Sequence, residues 1–275
     1  MILESIWTHW HAHPDVLIGL TILEGGYLLL IGPLRKRYNL ANHVSPGQTA
    51  TFTLGILVIF VSLLSPLHIL SDRYLFSAHM VQHVLLTLVA PPLLLIGTPG
   101  WLIRRAIRPT WIFIIARTLV HPVVAVVIFN IVFSIWHLPR LYNLSVTNHG
   151  IHIGEHLLFI VSAVLMWWPL TSKISELPRL SYPLQMVYLF ALSIAQIIVF
   201  GTITFSPEPL YEWYVNAPPI WSLSALADQQ VGAVIMKVGS GLLFITLAIC
   251  AFFRWYTAEQ SKDKSEIRQL GISME

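Results

Sequence analysis

Seven apolar runs long enough to cross a bilayer recur along the chain, near residues 15–33, 49–68, 76–97, 112–137, 151–169, 183–205 and 231–253. A hydrocarbon layer about 30 Å thick takes roughly 20 apolar residues in helical form, since a lipid-exposed backbone must satisfy its own hydrogen bonds. Each run therefore predicts one helix, and the fold class implied is an all-α polytopic membrane protein, a bundle of seven transmembrane helices. Turn signals separate the runs, among them Gly32-Pro33, Gly97-Thr98-Pro99-Gly100, Leu138-Pro139 and the stretch Ser206-Pro207-Glu208-Pro209 through Ala217-Pro218-Pro219. Pro91-Pro92 lies inside the third run, where it predicts a kink that frees carbonyls for a neighbour to satisfy. Residues 1–257 form the expected transmembrane domain, and the polar stretch 258–275 reads as a frayed or disordered cytoplasmic tail.

Composition and charge refine this picture. Of 275 residues, 56% are apolar and 11% charged, whereas soluble domains carry about 25% charge. Thirteen of the sixteen Lys and Arg residues fall on one side of the predicted bundle: Arg35, Lys36, Arg37, Arg104, Arg105, Arg108, Arg117, Lys173, Arg179, Arg254, Lys262, Lys264 and Arg268. Only Arg73 and Arg140 fall on the other, and Lys237 lies within the seventh run. Cytoplasmic loops retain positive charge, so the N-terminus is expected outside and the C-terminus in the cytoplasm. Topology accounts for the net charge of +3, leaving no argument for nucleic acid as a partner. The segment Met1–Trp7 has no basic region or small-residue cleavage site and does not read as a signal peptide.

On this topology ten of the twelve histidines gather at the outer side: His9, His11, His13, His68, His79, His83, His137, His149, His152 and His156, with His43 and His121 inside. Ionisable residues in membrane segments usually face a cavity or a partner. His79 and His83 stand one helical turn apart on a shared face beside Gln82. His149, His152 and His156 occupy an arc of about 60° on the fifth helix, flanked by Glu155. Facing pairs of this kind are how helical bundles assemble metal sites, and His68 and His137 at neighbouring helix ends are further candidates. With Cys250 the single cysteine, no paired-thiol site can form in one chain. Imidazole suits copper, zinc, iron and nickel; Met80 and Met236 tilt the choice toward copper if they contribute thioethers, and otherwise pack in the core.

Other polar residues stand out. Glu24 and Lys237 lie at similar depth and are expected to pair across the first and seventh helices, with a polar water-filled path as the alternative. Asp228 reads as a partner that orients a ligating imidazole or as an N-cap of its own helix. It shares a face with Gly232, Met236 and Gly239, where the glycines invite close approach of a neighbouring backbone. Tyr211-Glu212-Trp213-Tyr214 and Trp221 are expected in an interfacial belt, or on a docking surface.

The segment Ser77-Ala78-His79-Met80-Val81-Gln82-His83, continuing through Ala90-Pro91-Pro92 to Gly97-Thr98-Pro99, resembles the seven-span CtaG family of cytochrome c oxidase assembly factors. So do Trp136-His137-Leu138-Pro139 with Tyr142-Asn143, His152 to Glu155-His156, Trp167-Trp168-Pro169, and Asp228-Gln229-Gln230 with Gly232 and Met236. The resemblance implies a bacterial plasma-membrane protein that helps mature haem-copper oxidases by bringing copper to them, with oxidase subunits or other assembly factors as partners and no catalytic turnover. It points to His79, His83, His152, His156 and Asp228. Two other readings compete. His152-Ile153-Gly154-Glu155-His156 matches the HxxEH motif of zinc hydrolases, and opposed histidines could hold haem in an electron carrier.

Overall fold

The computed structural model describes residue 10 and residues 13–41 and 43–269, with the side chains of 263 and 265–269 left aside; His9 and His11 lie outside the described residues. Among the described residues every regular element is helical. Proline sets several starts, because its missing N–H costs nothing in a first turn and its φ is already helical. Helix α1 spans Pro14–Arg37, with a π turn at Leu30–Leu34 around Pro33. Helix α2 spans Pro46–Leu64, where Ser45 and Gln48 close a capping box. Helix α4, Phe76–Gly97, carries a second π turn at Leu85–Val89. Between α2 and α4 lies α3, the short helix Pro66–Arg73.

Helices α5 (Gly100–Ala106) and α6 (Thr110–Leu119) lead to α7 (Pro122–Trp136) and the short α8 (Pro139–Thr147). Then come α9 (His149–Thr171), α10 (Tyr182–Phe205), α11 (Glu212–Val215) and α12 (Ala225–Gln269). Among the described residues six helices are long and apolar enough to cross a membrane, or seven if the bent pair α6 and α7 is one span. Many large apolar side chains face outward, such as Ile198 and Phe205 at 80% and 85% exposure. Lipid is the solvent that accommodates such a surface.

The contacts at helix ends sort them into two faces. Asp15 at the start of α1 meets His149 at the start of α9, and Asp228 near the start of α12 meets the start of α4. Gln82 on α4 donates to the Ser62 carbonyl near the end of α2. His137, capping the end of α7, lies 5.9 Å from the His83 ring, and Gln229 on α12 donates to Ile203 near the end of α10. These ends form one face, the histidine face. At the opposite face Tyr27 Oη donates to the Gly97 carbonyl at 3.0 Å, Lys173 Nζ donates to the Ile96 carbonyl, and Arg104 pairs with Glu176 at 3.0 Å. A positive charge against the carbonyl end of α4 complements the helix dipole.

Several expectations need correction. The fourth run is not one straight helix: α6 and α7 meet at a 70° bend. The residue before a proline disfavours the helical region, and His121 before Pro122 sits at φ −58°, ψ 130°. The second run stops at Leu64 rather than His68, because Ser65 turns extended and caps α3, accepting from Leu67 N at 3.2 Å. The polar C-terminal stretch continues α12 as helix to Gln269. Glu24 and Lys237 do not pair: Glu24 accepts from Thr53 Oγ1 at 2.7 Å, and Lys237 donates to the Ser193 carbonyl at 2.7 Å. Neither glycine is closely approached by a backbone, contrary to expectation: a Cβ at Gly232 would stand 2.5 Å from a Phe76 ring carbon, so a side chain packs there, and Gly239 has open space around it.

The prolines of α4 follow the π turn at Leu85–Val89 and free a carbonyl, as expected. Pro91 cannot donate to the carbonyl four residues before it. That residue is Thr87, and Trp167 Nε1 on α9 donates to its carbonyl instead, at 2.8 Å.

Candidate metal centre

Helix α4 presents His79 and His83 from adjacent turns, and α9 presents His152 and His156 one turn apart toward them. Their periodicity puts each pair on one face, and packing of the two helices brings the faces together. The His79 and His83 Nε2 atoms lie 2.8 Å apart, and the His156 ring centroid is 6.1 and 6.0 Å from theirs. Each of the three offers a nitrogen within 4.8 Å of the others. Nitrogens bound to one tetrahedral ion at about 2.0–2.1 Å stand roughly 3.3 Å apart, so small ring rotations bring the triad to coordination geometry.

All three side chains are buried, and their polar atoms are incompletely satisfied. His79 Nδ1, His83 Nδ1, His156 Nε2, His137 Nε2, His152 Nε2 and Glu155 Oε1 have no hydrogen-bond partner among the described residues. A buried polar atom left without one costs about 1–3 kcal/mol, and native structures carry few. Here six concentrate in one layer. The facing Nε2 atoms of His79 and His83 hold one proton or one cation between them, while the unpartnered atoms of these two rings are their Nδ1 atoms.

The surroundings orient the rings. His137 Nδ1 lies 2.7 Å from the Phe133 carbonyl, to which it donates, turning Nε2 toward the layer. Such a backbone contact fixes ring tautomer and direction. Glu155 is fully buried, accepts from Ser145 Oγ, and directs Oε1 to within 3.6 Å of His83 Nε2. His152 Nδ1 lies 3.2 Å from Ser145 Oγ and 3.6 Å from Glu155 Oε2.

Two further groups adjoin the triad. His68, Asp72 and His152 form one, with Asp72 oxygens 3.3 Å from His68 Nε2 and 3.5 Å from His152 Nε2. Burial alone would raise the Asp72 carboxyl, yet His152 and His68 outweigh it and hold the pKa down to about 2, so this carboxylate is ionised at neutral pH. Gln82 fixes the His68 ring, its Nε2 lying 3.1 Å from His68 Nδ1 while donating to Ser62 O. His13, Asp15 and His149 form the other group at the surface.

The remaining candidates sit elsewhere. Asp228 does not approach the imidazoles; its carboxylate accepts from the amides of Phe76 at 2.6 Å and Ser77 at 3.2 Å, capping α4. Met80 and Met236 lie in the apolar cluster with Phe76, Phe133, Tyr142 and Phe159, the packing alternative for both. The aromatic stretch 211–214 is not a belt. Tyr211 and Tyr214 are buried; Tyr211 Oη donates to the His137 carbonyl and Tyr214 Oη to the Ser71 carbonyl, while Trp213 Nε1 donates to the Asp72 carbonyl. These residues brace the backbone behind the histidines, while Glu212 and Trp221 are exposed. Asp72, Asp15 and Ser145 escaped sequence reasoning, although Asp72 stands four residues after His68, a spacing that shares a helical face.

Sequence comparison relates the chain to known proteins. Uncharacterized proteins of Mycobacterium bovis and Mycobacterium tuberculosis are each 26% identical to it over 261 residues, and one of Mycobacterium leprae is 25% identical over 259. The matches cover 88% of this chain and 39% of each relative, so the chain spans about two fifths of the length of these curated relatives. No solved structure matches. A family model described as the cytochrome c oxidase caa3 assembly factor matches residues 25–258, a stretch that contains every histidine of the buried layer, and the chain therefore belongs to the caa3 assembly factor (CtaG) family.

Proposed function

We propose that this member of the cytochrome c oxidase assembly family binds copper at His79, His83 and His156 and passes it to the oxidase or to another assembly factor. The supporting observation is the concentration of unpartnered imidazole nitrogens, with Glu155 Oε1 beside them, in one buried layer. An all-imidazole set accepts copper, zinc, iron or nickel alike; copper is preferred because the oxidase class served takes that metal. In this reading the chain crosses a bacterial plasma membrane seven times, with α6 and α7 together forming the fourth crossing, the N-terminus and histidine face outside, and residues 258–275 in the cytoplasm. The one-sided placement of Lys and Arg supports that orientation.

The geometry disfavours the two competitors. For an HxxEH hydrolase both histidines should share one zinc beside a water-accessible glutamate, but His152 groups with Asp72 while His156 groups with His79 and His83, and Glu155 is fully buried. Axial haem ligation needs two imidazoles separated by a porphyrin plane, and His79 and His83 Nε2 atoms at 2.8 Å leave no slot between them.

The test is metal analysis and optical spectroscopy of detergent-purified protein. Wild type loaded with Cu(I) is expected to retain about one tightly held equivalent that His79→Ala with His83→Ala loses, without a Soret band, and cells carrying the double variant should show at least a several-fold loss of oxidase activity. Equal copper retention by both proteins, or a Soret band that depends on these histidines, overturns the reading.

A further inference from the structure

We propose that the three side-chain groups of the histidine face act in series, so that a transition-metal cation is captured at His13, Asp15 and His149 and reaches the buried triad through His68, Asp72 and His152. This rests on the reading of His79, His83 and His156 as a metal site, and it adds a surface capture site and a route.

The groups are graded in exposure. The side chains of His149 and Asp15 are 64% and 40% exposed, that of Asp72 is 31%, and the triad is buried. They are also contiguous. His13 stacks on His149 with ring centroids 5.5 Å apart and meets His68 edge-on, the two Nε2 atoms 3.1 Å apart. The His68 and His152 centroids are 6.1 Å apart, and those of His152 and His156 are 4.3 Å apart. An ion bound at about 2 Å from each nitrogen can thus gain a ligand from the next group before losing one from the last. No step requires a bare ion in a low-dielectric interior, which is the expensive alternative.

Glu155 links the last two groups. One oxygen faces His152 Nδ1 and the other faces His83 Nε2, each at 3.6 Å, so the carboxylate reaches both. Ligand chemistry changes along the way as well. Each of the outer two groups includes a carboxylate, whereas the innermost is all imidazole. Oxygen ligands suit hard ions and imidazole suits the later transition metals, so the series draws borderline cations inward and leaves Mg2+ and Ca2+ outside.

Co2+ serves as the probe on full-length protein in detergent, because its ligand-field bands report the ligands around it. Loading of the buried triad is read by stopped-flow absorbance as the band that His79→Ala with His83→Ala abolishes. His13→Ala with His149→Ala is expected to bind one equivalent fewer and to load the triad at least ten-fold more slowly, with the final band intensity unchanged. His149→Ala alone, at an exposed helix start, should retain the native elution volume and slow loading in the same direction. Unchanged rate and stoichiometry in both surface variants overturn the route while leaving the triad in place. A wild type that shows no histidine-dependent band removes the proposed function and the route together.

Discussion

Asp228 acts on the imidazoles at one remove, through the amides of Phe76 and Ser77 three residues and fewer ahead of His79. Those amides open a buried helix and have no intrahelical acceptors. Asp228→Ala should therefore cost about 1–2 kcal/mol, the usual worth of a lost N-cap, and Asp228→Asn, which keeps one acceptor oxygen, should cost about half of that. Chemical unfolding in detergent reads both, and copper stoichiometry at saturation should stay constant across the series. If Asp228→Asn instead removes metal without lowering stability, the residue orients a ligand and the capping account fails. Single residues differed in how well the sequence announced them. His79 with His83, and His152 with His156, were legible because helical spacing alone fixes a shared face. Asp15 was not, since it meets His149 only through the tertiary fold, and Asp72 had only its i, i+4 spacing from His68 to announce it, while its contact with His152 is tertiary. Met80 illustrates the converse: its place beside His79 in sequence put it on another face of α4, in the apolar cluster against Gly232.

At the scale of elements, α4 carries two of the three triad histidines, and one hydrogen bond from α9 satisfies the carbonyl that its proline frees. Trp167→Phe leaves the Thr87 carbonyl without its donor, at a cost of about 1–3 kcal/mol for a buried acceptor. A residue other than proline at 91 has an amide to offer in its place, so Pro91→Ala in the Trp167→Phe background should recover part of the loss. Unfolding midpoints of the two single variants and the double give the coupling; purely additive losses would show that Thr87 O is satisfied some other way. The freed carbonyl could be read from Pro91-Pro92 because the missing N–H is a covalent fact. The break at His121-Pro122 rested on the same kind of fact but was masked by the apolar residues on both sides, which length counting merges into a single run despite Arg117 and Thr118. Tyr211 and Tyr214 misled in another way. Aromatic residues near a span end fit an interfacial belt by composition, and only the path of the loop, tied to Ser71 and His137, buries them.

For the whole molecule the decisive question is how many times the chain crosses, because that determines which side of the membrane the histidines serve. Helix α7 has 15 residues, about 22 Å at 1.5 Å per residue, less than the hydrocarbon thickness. Its partners nevertheless run from one level of the bundle to the other: Val126 and Phe129 pack in the cluster that includes Leu170 and Leu180, whereas Phe133 packs with Tyr142 and Phe159 under the histidines. The proposed topology makes α6 and α7 one crossing, which puts Arg105 and Arg140 on opposite sides. A chain in which they did not cross would put both on the same side. Single cysteines at Arg105 and Arg140, each in a Cys250→Ser background, test this in intact spheroplasts with a membrane-impermeant maleimide. Arg140→Cys should label at the outside, and Arg105→Cys only after the membrane is opened. Labelling of both without permeabilisation removes the fourth crossing. The reverse pattern turns the histidine face toward the cytoplasm, where the copper would have to come from the cell interior and the positive charge of thirteen Lys and Arg residues would lie outside, against the rule that cytoplasmic loops retain it.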